Sequence, residues 1–285
     1  MNFLNEVIYQ LFGEKTDCSD LQSVGGGCIH QAGSFVHNGE KYFLKWNSNA
    51  SVMFETEAKG LALLKDTATV SIPKIISTGS VNEVDYLCLE FIEQSAQAPG
   101  FWVDFGRQLA DLHQNSALRF GLDHHNFIGR LPQSNEQKSN WVDFFISERL
   151  MPQIKMARDQ GVVDEQLQLK FNTLMKELPN LIPNEKPALL HGDLWSGNFL
   201  IGSHGQPVIF DPAVYYGHRE AELAFTRLFG GFDAVFYQTY HNTFPLQHGH
   251  EERVDIFNLY PLLVHVNLFG SSYLNGIVET LRRFT

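Results

Sequence analysis

One stretch constrains this chain more than any other: Leu189-Leu190-His191-Gly192-Asp193-Leu194-Trp195-Ser196-Gly197-Asn198-Phe199-Leu200, followed by Pro207-Val208-Ile209-Phe210-Asp211-Pro212. Apolar runs precede both His191 and Asp211, so Asp193 and Asp211 each stand just beyond a short strand and project from a loop. Asp193 and Asn198 are five residues apart, and Asn198 and Asp211 thirteen. A lone loop Asp is usually a turn or cap residue. Three hard-oxygen side chains at such spacing on strand-flanked loops point to one shared task.

The spacing matches phosphoryl-transfer machinery of the kinase-like kind, with a base in the catalytic loop, an Asn for Mg²⁺ and a second metal-holding Asp. A transferred phosphoryl group spreads negative charge over its oxygens, so hard ligands must hold Mg²⁺ against the phosphates. A carboxylate must also accept or orient the proton of the substrate hydroxyl. Asp193 takes the base role, and Asn198 and Asp211 the metal.

The first third of the chain supplies the other parts. Leu4, Ile8 and Leu11 mark a short amphipathic helix, and Asn38-Gly39 a type I′ hairpin turn. After that turn, residues 42–46 read as a strand with Phe43 and Lys45 on one face. Residues 51–65 read as a helix with Ser51 as N-cap and Met53, Phe54, Leu61 and Leu64 as its apolar stripe. Glu57 falls inside that stripe and needs a partner, because an unpaired buried charge is costly. An inward Lys45 would reach the α- and β-phosphates with Glu57 holding it, while Glu55 points away and is the lesser alternative.

Gly25-Gly26-Gly27-Cys28 lies upstream of that strand, where backbone N–H groups can approach phosphates without Cβ obstruction. Cys28 reads first as a small inert side chain and second as an oxidation-prone thiol. Residues 72–78 and 85–92 read as strands, and the backbone of Glu90 and Ile92 is the natural place to hydrogen-bond adenine. The turn-rich residues 93–100 form a linker. Beyond it the pattern is helical, at 102–114, 141–157, 164–178 and several stretches after Glu220. The fold class is therefore α+β: a β-rich N-terminal nucleotide-binding lobe (1–92), a hinge (93–100) and a larger helical lobe (101–285) with catalytic loop and substrate site.

Composition narrows the partners. The 285 residues carry a net charge of −11, which argues against nucleic acid, bound as it is by clustered Lys and Arg. Three cysteines are too few for a disulfide framework. The N-terminal residues lack a basic segment of the secretory kind, and no apolar run is long enough for a membrane span. A cytoplasmic protein is expected. Oligomeric state is open.

The chain resembles the fructosamine kinase (ketosamine 3-kinase) family, whose fold is shared with aminoglycoside phosphotransferases and protein kinases. The specific segments are Gly25 to Ile29, Phe54-Glu55-Thr56-Glu57-Ala58, Asn126-Phe127-Ile128-Gly129, Pro132-Gln133-Ser134-Asn135, Trp141-Val142-Asp143-Phe144-Phe145, Trp195-Ser196-Gly197-Asn198, Asp211-Pro212-Ala213 and Leu228-Phe229-Gly230-Gly231-Phe232. The resemblance implies ATP- and Mg²⁺-dependent phosphorylation of the sugar 3-hydroxyl of ketoamines, free or protein-bound. The resulting 3-phosphates release the amine and begin deglycation, and bacterial-type members often favour ribulosamines or erythrulosamines. Asp193 would then act on that 3-hydroxyl.

Trp195, two residues past Asp193, could wall the sugar site or pack in the core. His265 and Asn267 lie on a helix whose family counterpart lines the substrate side. Glu222 has two readings, a hydrogen bond to the catalytic-loop backbone or a solvated helix charge. His218 receives no role. The pairs His124-His125 and His248-Gly249-His250 lack zinc-site spacing, so a protein-only zinc site is rejected.

Gly192 stands where many protein kinases carry an Arg that pairs with a phosphorylated loop, and Pro212 disfavours a Phe-based switch after Asp211. No Ala-Pro-Glu segment follows, so a constitutively competent enzyme is expected and a protein kinase disfavoured. The alternatives are an aminoglycoside- or choline-type phosphotransferase and a non-catalytic nucleotide-binding pseudokinase. Retention of Lys45, Asp193, Asn198 and Asp211 argues against the second.

Overall fold

The structure, a computed structural model, describes residues 3–14, 21–23 and 30–285. Gly25, Gly26, Gly27 and Cys28 lie outside the described residues. The chain opens with helix α1 (Phe3–Phe12), strands β1 (Gln22–Ser23), β2 (Gln31–His37) and β3 (Glu40–Ser48), helix α2 (Ser51–Asp66), and strands β4 (Ile75–Val81) and β5 (Val84–Glu90). Next come α3 (Phe101–His113), the hairpin β6 (Asn126–Ile128) and β7 (Leu131–Gln133), α4 (Trp141–Phe144), a π-helical stretch (Phe145–Leu150), α5 (Met151–Asp159) and α6 (Glu165–Leu181). The remainder holds β8 (Ala188–Leu190), β9 (Phe199–Ile201), β10 (Pro207–Ile209), β11 (Tyr215–Gly217), α7 (Arg219–Leu228), α8 (Ala234–Thr243), α9 (His250–Phe269) and α10 (Leu274–Phe284).

The chain divides into two compact units, one of residues 1–101 with 199–212 and one of residues 102–198 with 213–285. The division differs from the sequence reading in two respects: residues 93–101 and the β9–β10 hairpin both go with the first unit. Hydrogen bonds explain why. Ser95 N–H donates to Ile201 O, Ala98 N–H to Gly205 O and Ile209 N–H to Ser71 O. The residues expected as a linker are thus tied to the hairpin.

In the first unit, five strands form one antiparallel sheet in the order β1-β2-β3-β5-β4. Asn38 and Gly39 both take positive φ, 50° and 82°, as a type I′ turn requires. Period-2 alternation then sorts the strands between two cores. Leu44, Tyr86 and Cys88 pack with Leu4, Val7 and Ile8 of α1, whereas Leu87 and Leu89 pack with Phe54 and Leu61 of α2. Lys45 stands opposite Leu87 in the register and therefore emerges on the α2 side.

Helix α2 begins at Ser51 itself, so Ser51 is not the N-cap; Ala50 flanks the helix and gives its N–H to Asp85 Oδ2 at 2.7 Å. The strand expected over 72–78 starts only at Ile75.

The second unit is mostly helical, around a core that includes Phe120, Trp141, Phe144, Phe145, Phe171 and Phe257. Helix α9 is buried at every position from Ile256 through Asn267 except His265, and packs against α5, α7 and α10. The helix expected over 141–157 is interrupted by the six-residue π stretch, which contains the fully buried Arg149.

Candidate active site

In the first unit, Lys45 Nζ lies 2.8 Å from Glu57 Oε1 and also bonds Asp211 Oδ1. Three features of local structure make this arrangement: the β3 register aims Lys45 at α2, helical phase turns Glu57 inward, and β10 ends just before Asp211. Glu55 is exposed, so the lesser alternative falls. Lys45 is 7% exposed. Burial alone would lower its pKa, but the charges and hydrogen bonds of Asp211 and Glu57 outweigh burial and hold it above its ordinary value. Lys45 is a fixed cation. Asp211 adopts φ 57°, a left-handed conformation uncommon outside glycine.

The second unit holds the catalytic loop between β8 and β9. Asn198 Nδ2 donates to Asp193 O at 2.8 Å and to Asp193 Oδ2 at 2.9 Å, which ties the five-residue spacing into a closed turn. Gly192 has φ 84°, and a Cβ there would sit 2.1 Å from Ala213 O, so only glycine fits. Glu222, on α7, is wholly buried and holds the loop from below. Its Oε2 accepts from His191 N–H at 3.1 Å and from His113 Nε2 at 2.9 Å, and its Oε1 accepts from Gly192 N–H at 2.7 Å. Burial would raise the Glu222 carboxyl, but the His113 hydrogen bond, the neighbouring His charges and the Gly192 amide hold it below the usual carboxylate range. The solvated-charge reading of Glu222 is thereby ruled out. Behind it, His113 Nδ1 meets Tyr240 Oη at 2.7 Å. His113 ends an ordinary amphipathic helix, and nothing in the sequence singled it out.

The proposed substrate residues separate. Trp195 meets the Phe229 ring edge-on at 5.8 Å, and Phe229 lies 4.6 Å from His265, whose ring also contacts Phe269 and Tyr273. His265 Nδ1 is 2.7 Å from Pro261 O and donates to it, leaving Nε2 as the acceptor nitrogen of the neutral ring, which burial favours. Asn267 does not join them. Its Nδ2 donates to Gln153 O and Oε1 at 3.0 and 2.7 Å, so it fastens α9 to α5 and is a structural residue. Two residues apart on a helix is about 200°, which puts it on the face opposite His265.

At the expected adenine edge, Glu90 N–H is already donated to Lys74 O at 2.8 Å, so Glu90 has no N–H to offer. Ile92 N–H has no backbone partner among the described residues. Cys88 is buried and unpaired, and burial pushes its thiol up to about 12.

Glu185, His218 and Glu220 cluster within metal-binding distance of one another. Their atoms are already engaged: Arg219 grips both Glu185 oxygens, Arg253 both Glu220 oxygens, and His218 caps α7 through Nδ1 while Nε2 donates to Pro183 O. Asp211 and Asn198 differ. An Asp carboxylate and the Asn198 Oδ1, which accepts no hydrogen bond among the described residues, are the oxygen donors that Mg²⁺ takes. They fit that ion.

The chain is similar to known proteins over nearly its whole length. A probable ketoamine kinase of Synechocystis is 40% identical over 278 residues, covering 97% of this chain and 94% of its own. A chloroplastic protein-ribulosamine 3-kinase of Arabidopsis thaliana is 39% identical, covering 94% of this chain and 83% of its own. The crystal structure of a putative fructosamine-3-kinase from Haemophilus somnus superposes with a TM-score of 0.88 at 27% identity, over 99% of this chain and 96% of that one. The profile of the fructosamine kinase family matches residues 1–285. With its α+β kinase-like fold, the chain belongs to the fructosamine kinase family.

Proposed function

We propose that this phosphotransferase uses ATP and Mg²⁺ to phosphorylate the sugar 3-hydroxyl of ketosamines, with ribulosamine, erythrulosamine and fructosamine adducts as the substrate class. One observation carries the nucleotide side of this reading: Lys45 is buried as a cation between Glu57 and Asp211. A cation anchored in that way neutralises the α- and β-phosphates without having to be ordered when nucleotide binds. Mg²⁺, when bound through Asp211 and Asn198, neutralises charge that develops on the phosphate oxygens.

The remaining work falls to the chain's own groups. Asp193 orients the 3-hydroxyl and accepts its proton as the sugar oxygen bonds to the γ-phosphorus and the bond to the ADP oxygen breaks. Asn198 holds the Asp193 carboxylate through Nδ2. Trp195 and His265 form the substrate wall, where flat aromatic faces suit the C–H side of a sugar and His265 Nε2 offers one acceptor. Gly25, Gly26, Gly27 and Cys28 cover the phosphates, and Ile92 N–H serves adenine. The enzyme acts in the cytoplasm, on free or protein-bound amines.

The test is ATP consumption with ribulosamine, fructoselysine, kanamycin and choline, with the product phosphate located by NMR. Phosphate on O3 of a ketosamine is the expected result. Turnover of kanamycin or choline alone would refute the substrate class.

A further inference from the structure

The segments Asn126-Phe127-Ile128-Gly129 and Pro132-Gln133-Ser134-Asn135 have no part in the chemistry above, yet their amides are buried: Asn126 is 6% exposed, Gln133 2% and Asn135 0%. We infer that Asn126, Gln133, Asn135 and Arg149 form a positioning lattice that fixes the chain just after Asp211 and thereby keeps Asp211 in its metal-binding conformation. The inference rests on the proposed metal role of Asp211.

The lattice has a direction imposed from one end. Arg149 carries only donors, so Asn135 must turn Oδ1 toward it, and Nη2 reaches that oxygen at 2.7 Å. Asn135 Nδ2 is then left to face Asn126 Oδ1, at 2.9 Å. Gln133 Nε2 donates to the same oxygen at 2.8 Å. With its oxygen occupied twice, Asn126 has only Nδ2 to offer on its other side, and donates to Val214 O at 2.8 Å. The second Gln133 N–H goes to Ala213 O at 3.1 Å, and Tyr260 O–H donates to Gln133 Oε1 at 2.6 Å. All three amide orientations are therefore determined by a side chain that cannot flip.

Among the described residues Arg149 has no carboxylate as a hydrogen-bond partner and is instead stacked over Tyr215 and Phe144, 4.0 and 4.6 Å from their ring centres. An anion there would compete with Asn135 for its donors. Cation–π contact supports the charge and leaves the guanidinium free to orient the amide.

Ala213 is where the lattice acts. Its carbonyl is held by Gln133, its N–H donates to His191 O at 2.9 Å, and the missing Cβ of Gly192 makes room for it. One residue is thus fastened both to the lattice and to the catalytic loop. Two residues upstream stands Asp211 at φ 57°. Such a conformation persists only where its surroundings over-determine it. Pro212 restricts the link between them. The lattice supplies permanently what a phosphorylated loop supplies by charge in protein kinases.

The test replaces Gln133 by Met, which removes the donor to Ala213 while keeping the length of the side chain. Second-sphere changes of this kind typically weaken metal binding by about 10–100-fold. The Mg²⁺ concentration for half-maximal activity should rise by about tenfold, with KM for the ketosamine within about twofold of wild type. Without turnover, Mn²⁺ affinity of the ADP complex, read by electron paramagnetic resonance, should fall by a similar factor. Leu174→Ala, a cavity in α6 far from the lattice in sequence, serves as the control: it lowers thermal stability and should leave both metal readouts unchanged. Where Gln133→Met does not fold, Asn126→Asp, which keeps the shared oxygen but replaces the donor to Val214 with a buried carboxylate oxygen, carries the same expectation. A folded variant with wild-type Mg²⁺ requirement and Mn²⁺ affinity would overturn the inference, as would equal metal defects in Leu174→Ala. Wild-type protein that binds no Mn²⁺ with ADP would instead sink the metal reading itself, and the lattice role with it.

Discussion

Replacing Glu222 by Gln changes one atom in a side chain that bears three hydrogen bonds, and the cost follows from counting lone pairs. Glu222 Oε2 serves His191 N–H and His113 Nε2, and Oε1 serves Gly192 N–H. A glutamine has one carbonyl oxygen. Turned toward His191 and His113, it aims its NH₂ at the Gly192 N–H, donor against donor; turned the other way, it faces the His191 N–H with NH₂ and forces His113 to change tautomer. Either way a charge-assisted bond is lost and a buried N–H is left unpaired, a cost of about 2–4 kcal/mol. Against a typical total of roughly 5–15 kcal/mol the variant still folds. Its melting temperature should drop by about 5–15 °C.

Activity should fall further than stability suggests, because Gly192 immediately precedes Asp193. A shift of the order of 1 Å at a catalytic group can cost up to about 100-fold, so kcat should fall about 10–100-fold while KM for ATP changes little. The carboxyl also sets a pH signature. Its folded pKa lies below the usual range, so its stabilisation is fully present above the unfolded value of about 4.3 and fades as pH falls from there through the folded value. Differential scanning fluorimetry from pH 7 down to pH 3 should therefore show wild type and Glu222→Gln converging at the acid end. A melting point within about 2 °C of wild type at pH 7, with kcat within about threefold, would refute the role assigned to Glu222.

Other substitutions test other parts of the site. Lys45→Met leaves Glu57 and Asp211 without their cation, and kcat/KM for ATP should fall by about 10²–10³-fold in steady-state assays. Asp193→Ala should lose about 10²–10⁴ in kcat while isothermal titration with ATP still shows binding; loss of nucleotide affinity instead would contradict the base role. Gly192→Ala must accommodate a Cβ 2.1 Å from Ala213 O at φ 84°, so it should be destabilised by at least about 1–3 kcal/mol in chemical denaturation, with activity reduced alongside. Treatment with a broad-specificity phosphatase should leave activity unchanged, since the Asp211 segment is fastened by amide hydrogen bonds that no phosphate maintains.

What could be read in the sequence divides along a physical line. Asp193, Asn198 and Asp211 stood out because oxygen chemistry on phosphate admits few residue types and the intervening loop and hairpin fix their spacing. Lys45 and Glu57 followed from period 2 and period 3.6, and the Asn38-Gly39 turn from its need for positive φ. Helical phase also held a warning about Asn267, two residues from His265 and so across the helix from it, which family analogy overrode. The supporting residues carry no such mark. Asn126 and Val214 are 88 positions apart, and His113 and Glu222 are 109, so neither pair falls within any local period. A polar side chain in a loop reads as solvated unless its distant partner is known, and several residue types could serve each partner equally well. Chemistry narrows identity at the reacting atoms. Support asks only for a donor or an acceptor in the right place, which is why Glu222 had two readings until the His191 and Gly192 amides were located above it.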